Sequence, residues 1–351
     1  MTLKLRLGRS HRPAPRYLLA GAAFGRLKGG GRARARASAC LVAVTTLLFA
    51  LGGCGSSAPR RVTLILDFTP NAVHAGIYRA LGAGYYRKAG IELKVVQPTS
   101  TQETLKLIDA GRAQFGLADG SDVASLIEEG GDAQTVMAIV ARPLGGLIAL
   151  RSEHLRSPAG LAGKTVGVTG VPSDLAVLDT ELRHSGVDPK RVRVATVGFD
   201  GAQALLAGRI AAFTGFIPDD GVALSVSGHE IEAFALDRYG GPAYPGLVAF
   251  TTRSLIRSDP GLVRSFVAAT VHGYRDTLVD PARSLAELQA ANPTLPPKLT
   301  KASLAVYLPL FDRSGAIAAQ SVREMSSWML DARLIGVPIS PNRYGTNAFL
   351  P

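Results

Sequence analysis

From Arg61 onward, apolar runs of strand length alternate with segments of helical period, and this alternation constrains the fold more than any other feature of the chain. Strand-length runs fall at 62–66, 91–96, 114–118, 164–168, 192–197 and 211–215. Helical spacing falls at 74–88, 101–110, from Ser121 or Asp122 onward, at 174–184 and at 200–207. Strand, helix, strand is the order of a mostly parallel sheet covered by helices, so the expected class is α/β. In the first helix Ile77, Leu81 and Tyr85 share a face, and Gly90 supplies the stop.

The alternation is too long for one compact domain. With 351 residues the chain suits two lobes, each with its own core. Two further apolar runs, 144–150 and 247–251, read as crossings between them. The expected division is 61–145 plus 250–351 for the first lobe and 146–249 for the second, with a hinge of two crossing segments. After 251 the pattern is helical: Asp259 is placed to cap, and Pro260 to open, a helix carrying Leu262, Phe266, Val271 and Tyr274. These last helices are expected to return to the first lobe, making it discontinuous.

Charge separates the first 53 residues from the rest. They hold ten Lys or Arg and no acid, which leaves 29 basic residues against 27 acidic ones in the remainder. The basic pI therefore belongs to one segment, and nucleic acid is not an expected partner. Behind that basic flank comes an apolar stretch, 37–51, ended by Gly52-Gly53-Cys54. Basic, apolar, small is the order of a secretory signal, and the run is short for a membrane span. Residues 1–53 are thus expected to be a signal peptide and 54–60 a lipidated cysteine with its tether, because Leu51-Gly52-Gly53-Cys54 resembles the lipobox of bacterial lipoproteins. No cysteine follows Cys54, so thiol nucleophiles and cysteine-ligated metals are excluded from the mature protein.

Ligands of open α/β sheets bind at the carboxyl ends of strands. There the chain places Asp67, Phe68, Asn71, Asp119 and Asp122 in the first half, and Ser173, Asp174, Asp200, Asp219 and Asp220 in the second. A flat heteroaromatic ligand needs a ring to stack on and acceptors for its amino group. Phe68, Tyr239 and Tyr244 suit the first task, and the acids with Asn71 the second. Each residue also has a purely structural reading: Phe68 as core, Asp67 as a helix cap, Asn71 beside Pro70 as a turn residue, Asp219-Asp220 as a solvated turn. His74 reads equally as a ligand-facing donor or as packing at a helix start. Gly163-Lys164-Thr165 fails as a phosphate loop because Pro158 stands in place of the first glycine. Arg142, Arg151 and Arg156 read as surface charges.

Leu66-Asp67-Phe68-Thr69-Pro70-Asn71-Ala72-Val73-His74-Ala75-Gly76-Ile77-Tyr78 resembles the opening of solute-binding proteins for thiamine-pyrimidine precursors and of the related thiamine-pyrimidine synthases. The usual form there is Leu-Asp-Trp-x-Pro-Asn-x-x-His-x-Gly-x-Tyr, so Phe68 stands where Trp is common. Gly170-Val171-Pro172-Ser173-Asp174, Gly198-Phe199-Asp200, Thr214-Gly215-Phe216, Tyr239-Gly240, Tyr244-Pro245 and Asn347-Ala348-Phe349-Leu350-Pro351 follow the same pattern in order, and the resemblance runs over 61–351. Ile217, Pro218 and Asp220 depart from it, where a tryptophan, an amide and a glutamate are common.

The resemblance implies a two-lobed type II periplasmic-binding-protein fold that closes on a small heterocycle. It implies a monomeric, extracytoplasmic, lipid-anchored component of an ABC importer, with permease and ATPase subunits as partners, no cofactor, no metal and no catalysis. Riboflavin and sulfonates or taurine are the alternative ligands. The alternative of another class is a thiamine-pyrimidine synthase, in which the motif histidine supplies atoms to the product and a cysteine-rich motif is required. This chain lacks that motif.

Overall fold

The computed structural model describes residues 58–351. The expected signal segment 1–53, Cys54 and residues 55–57 lie outside the described residues. Among the described residues no helix is long and apolar enough to cross a membrane.

Among the described residues ten strands form two five-stranded sheets with the same plan. The first has the order β2 (Ile91–Val96), β1 (Arg60–Ile65), β3 (Phe115–Ala118), β10 (Leu247–Thr251), β4 (Gln134–Val140). The second runs β7 (Arg193–Thr196), β6 (Thr165–Val168), β8 (Ala212–Phe216), β5 (Gly145–Leu150), β9 (Ile231–Ala235). In each, three parallel strands are followed by one antiparallel strand that the chain enters on arriving from the other lobe: β10 in the first, β5 in the second. The parallel strands are those whose apolar runs alternate with helices in the sequence. Strands β4 and β9 were not anticipated, although Thr135 to Val140 is a continuous buried run.

The chain changes lobe between β4 and β5 and again between β9 and β10, so 144–150 and 247–251 are mostly strands rather than the linking segments themselves. The two links run side by side. Gly246 N–H donates to Val140 O (3.0 Å), and a Cβ at Gly246 would meet Arg142 O at 2.2 Å. Only glycine permits that approach.

The expected helix over 74–88 is broken. A 3-10 turn at Ala72–His74 leads into the helix Ala75–Gly82, and Gly84 (φ 70°) interrupts it before Tyr85–Lys88. Gly90 (φ 75°) ends the unit as anticipated. The C-terminal helix Pro260–Val279, capped by Asp259 as expected, packs on the first sheet. Phe266 stacks on Phe115 with ring centres 3.7 Å apart, and Tyr274 donates to Val73 O at 2.8 Å. Gly76 of the opening motif has a packing reason: a Cβ there would lie 2.4 Å from the Tyr274 ring. The last residues stay with the first sheet, Thr346 N–H donating to Thr135 O at 2.9 Å.

Candidate functional site

A cavity of about 110 Å³ lies where the strand ends of the two sheets face each other. From the first sheet's side it is lined by Asp67, Phe68, Asp119 and Asp122. Facing them are Ser173, Asp174, Phe199, Asp219 and Asp220, with Thr169 and Thr214 beside them and Tyr244 at the return link. Among the described residues that line it, none is Lys, Arg or His. The two phenylalanines meet across it edge to face, ring centres 4.5 Å apart at 86°.

Asp67 follows β1 and is 5 % exposed. His74, fully buried, holds it with Nε2 2.8 Å from Oδ1. The other ring nitrogen accepts from Asn71 N–H (3.1 Å), and Asn71 Oδ1 accepts from Val73 N–H (2.9 Å), a reciprocal cap on the 3-10 turn. A nitrogen that accepts carries no proton, so the proton sits on Nε2 and is donated to Asp67. His74 is thus a clamp behind Asp67 and does not line the cavity. Asn71 does not line it either; it spends its side chain on the turn and on Asp219 across the cleft (Nδ2 to Oδ2, 3.4 Å).

Asp119 caps the helix Gly120–Glu128, Oδ1 accepting from Ser121 N–H (2.8 Å) and Oγ–H (2.7 Å), while Tyr244 reaches Oδ2 at 3.4 Å. Tyr244 is locked by stacking on Trp328, 5.7 Å away at 16°. On the other side Asp174 Oδ2 accepts from Thr169 N–H (2.7 Å). Asp220 Oδ2 accepts from Phe216 N–H (2.9 Å), and the Tyr307 hydroxyl donates to Asp219 Oδ2. A Cβ on Gly215 would stand 2.5 Å from Asp220 Oδ2, so the glycine of Thr214-Gly215-Phe216 makes room for that carboxylate.

Six carboxyl groups therefore ring one small cavity, each close enough to repel the next: Asp119 with Asp122, Asp122 with Asp174, Asp174 with Asp220, Asp220 with Asp219, Asp219 with Asp67. Confinement by protein, then this repulsion, raises the affinity of most of them for protons. Burial pushes Asp119 and Asp122 upward as a pair, lifts Asp220 to about 6, raises Asp174, and holds Asp219 well above the usual carboxylate range. Burial and the adjacent Asp219 raise Tyr307 too, so it stays a donor.

Two expected ligand residues stand elsewhere. Tyr239 packs edge-on against Phe234 (5.4 Å) and His184 (6.0 Å), because it follows edge strand β9 and turns into the second lobe's own core. Asp200 is exposed beside the helix Gly201–Leu206 and does not reach the cavity. Its neighbour Phe199 does, a residue the strand-end reading passed over although it follows β7 much as Phe68 follows β1. Arg142 and Arg151 are exposed and pair with Asp237, and with Glu230 and Glu232. Lys164 is bound to Glu153 at 2.6 Å.

The NMT1/THI5-like family model matches residues 71–284. The chain belongs to that family. It is 28 % identical over 277 residues to the formylaminopyrimidine-binding protein of Halalkalibacterium halodurans, covering 76 % of this chain and 84 % of that one. It is 25 % identical over 298 residues to the 4-amino-5-hydroxymethyl-2-methylpyrimidine phosphate synthase of Legionella pneumophila, covering 84 % and 94 %. Among solved structures, the alkanesulfonate-binding protein SsuA of Xanthomonas axonopodis pv. citri bound to MOPS superimposes with a TM-score of 0.65 at 16 % identity, over 83 % of this chain and all of the other (100 %). The fold is the two-lobed type II periplasmic-binding-protein fold that the resemblance implied. Family membership embraces both binding proteins and synthases, so the chemistry of the cleft must separate them.

Proposed function

We propose that this chain is the solute-binding component of an ABC importer, which captures a pyrimidine of the thiamine-precursor type between its lobes and presents it to a permease with its ATPase subunits. The observation that carries this reading is the cavity itself, which joins aromatic faces from both lobes to a ring of carboxyl acceptors and no base. An aminopyrimidine offers a flat ring to Phe68 and Phe199 and amino hydrogens to the acids. A sulfonate or phosphate would face six acids without a counter-charge, which weighs against taurine and against a phosphorylated product.

Two observations favour a binding role over the synthase. His74, the motif histidine, is fully buried and uses both ring nitrogens on Asp67 and Asn71. No cysteine follows Cys54. The remaining ligand-site residues in this reading are Asp67, Asp119, Ser173, Asp174, Asp219, Asp220 and Tyr244, with Asn71 and His74 as their supports.

Calorimetric titration tests the site. Phe68→Ala should weaken binding of 4-amino-5-hydroxymethyl- or 4-amino-5-aminomethyl-2-methylpyrimidine by about 1 kcal/mol, roughly fivefold, through lost stacking. Phe68→Trp should bind as well as the parent. Riboflavin or taurine binding in preference to both pyrimidines would refute the assignment.

The anchoring part of the proposal has its own test. Diacylglycerol on Cys54 would hold the protein to membranes, each buried CH₂ contributing about 0.8 kcal/mol. Cys54→Ala should therefore appear in the soluble fraction or accumulate unprocessed. Unchanged membrane partitioning and maturation would remove the lipoprotein reading and leave the binding reading untouched.

A further inference from the structure

Building on the pyrimidine reading, we infer that the cleft selects a ligand bearing a localised positive charge, an ammonium group carried by the flat ring, over neutral and anionic counterparts of the same ring.

Taking a carboxylate out of water costs several kcal/mol unless something compensates it. Here six stand around one cavity, and the described lining offers no cation. Arg142 pairs with Asp237 and Arg79 with Asp276 and Glu287, and neither lines the cavity. Structural duty explains only part of the set. Asp119 caps a helix and Asp67 anchors the 3-10 turn through His74, tasks that use one or two oxygens. Asp67 and Asp220 each accept from one fixed donor, His74 and Phe216 N–H, while Asp174 meets Thr169 and Thr214 and Asp219 meets Tyr307 and Asn71.

Asp122 has no backbone duty, and its one partner among the described residues is the Ser173 hydroxyl of the facing lobe. It lies in the first turn of Gly120–Glu128, is 8 % exposed, lines the cavity and has no backbone donor. What faces it across the cleft is the Ser173 hydroxyl and the Asp174 carboxyl. Asp122 and Asp174, from opposite lobes, line one cavity and repel each other, which opposes closure unless the ligand brings a positive charge there. Among the described residues no three of His, Cys, Asp and Glu converge closely enough to hold a metal ion. The aromatic pair Phe68–Phe199 sits at the same cavity, so the cation is an organic one attached to a ring.

The geometry also ties binding to protons. The groups facing the acids are His74 on Asp67, Tyr244 and Ser121 on Asp119, Ser173 on Asp122, Thr169 and Thr214 on Asp174, and Tyr307 and Asn71 on Asp219. None of these carries a positive charge, His74 being neutral in the bonding it shows. The acids therefore keep part of their charge masked by protons until a cation arrives, and the cation displaces those protons. Affinity for an ammonium ligand should rise with pH between about 5 and 8, with proton release on binding.

The experiment titrates the purified full chain with a matched set: 4-amino-5-aminomethyl-2-methylpyrimidine, its hydroxymethyl and formylamino counterparts, the phosphate ester of the hydroxymethyl compound, and putrescine as a ringless dication. The aminomethyl compound should bind at least about tenfold more tightly than either neutral analogue, the phosphate ester should bind least, and heats in two buffers should show proton release. Asp122→Asn, which keeps shape and removes charge, should reduce the ratio of aminomethyl to hydroxymethyl affinity about tenfold. Equal or tighter binding of a neutral analogue overturns the charge inference and leaves the pyrimidine proposal standing. Binding of putrescine with no pyrimidine bound overturns the pyrimidine proposal and supports charge selection. Failure of every ammonium compound to bind overturns the inference.

Discussion

The ligand-free protein should melt at a lower temperature at pH 8 than at pH 5. Among the cleft acids Asp220 contributes plainly, and the buried Glu181 outside the cleft, raised to about 9, acts in the same direction. The proton affinity of Asp220 is raised by burial to about 6, against an ordinary 3.8. Above 3.8 the unfolded chain gives up this proton while the folded protein keeps it, so the folded state binds more protons and stability falls as pH rises. The contribution is complete below the unfolded value and is lost once pH has passed about 6. Between pH 5 and pH 8 only about one unit of that span is crossed, so at about 1.4 kcal/mol per unit Asp220 alone accounts for about 1.4 kcal/mol, which for a domain of this size is on the order of 2–5 °C. Asp119, Asp122, Asp174 and Asp219 are shifted in the same direction and add to it. Asp220→Asn should melt several degrees above the parent at pH 8 and level with it at pH 4, while binding its ligand less well. A melting temperature that is flat or rises from pH 5 to 8 would contradict this account of the cleft.

His74→Ala should be among the most destabilising single substitutions in the first lobe. It leaves Asp67, 5 % exposed, without its donor and Asn71 N–H without its acceptor. Each orphaned group costs about 1–3 kcal/mol, so the loss should be on the order of 3 kcal/mol or more, visible as a lower urea midpoint. His74→Asn, whose carbonyl can serve Asn71 N–H while Asp67 stays unpaired, should recover part of that loss. Because Asp67 is then free to turn, pyrimidine affinity should fall in both variants. If His74 were a reactant, its removal would abolish turnover and leave stability unchanged; an unaltered urea midpoint would therefore remove the clamp from this residue.

The match between sequence and structure follows the range of the forces involved. Parallel strands were legible because an apolar run between two helical segments needs only a few neighbouring residues to specify it, and 91–96 coincides with β2; the antiparallel β10 also coincides with its apolar run, 247–251. Asp259 as a cap and Gly90 as a stop were legible for the same reason. The helix expected over 74–88 fails at Gly84, whose positive φ breaks a periodicity that the side chains alone would have continued. Tyr239 was misplaced because an aromatic near a strand end can turn to either side, and the packing of Phe234 and His184 decides which.

The sequence by itself determined the α/β alternation, the turns at the strand ends, the family and the pool of acids from which the site is drawn, since each depends on residues close along the chain. Only the tertiary structure decided which of those acids share a cavity. Asp67 and Asp219 are brought together by two sheets and two links, and no local pattern encodes their separation in space. Depth was decided there too: His74 turned inward behind Asp67, Phe199 turned toward Phe68, and Asp122 set beside Ser173. Burial and mutual repulsion are properties of assembled surfaces, which is why six ordinary aspartates came to share one cavity and perturb one another only when the chain folded.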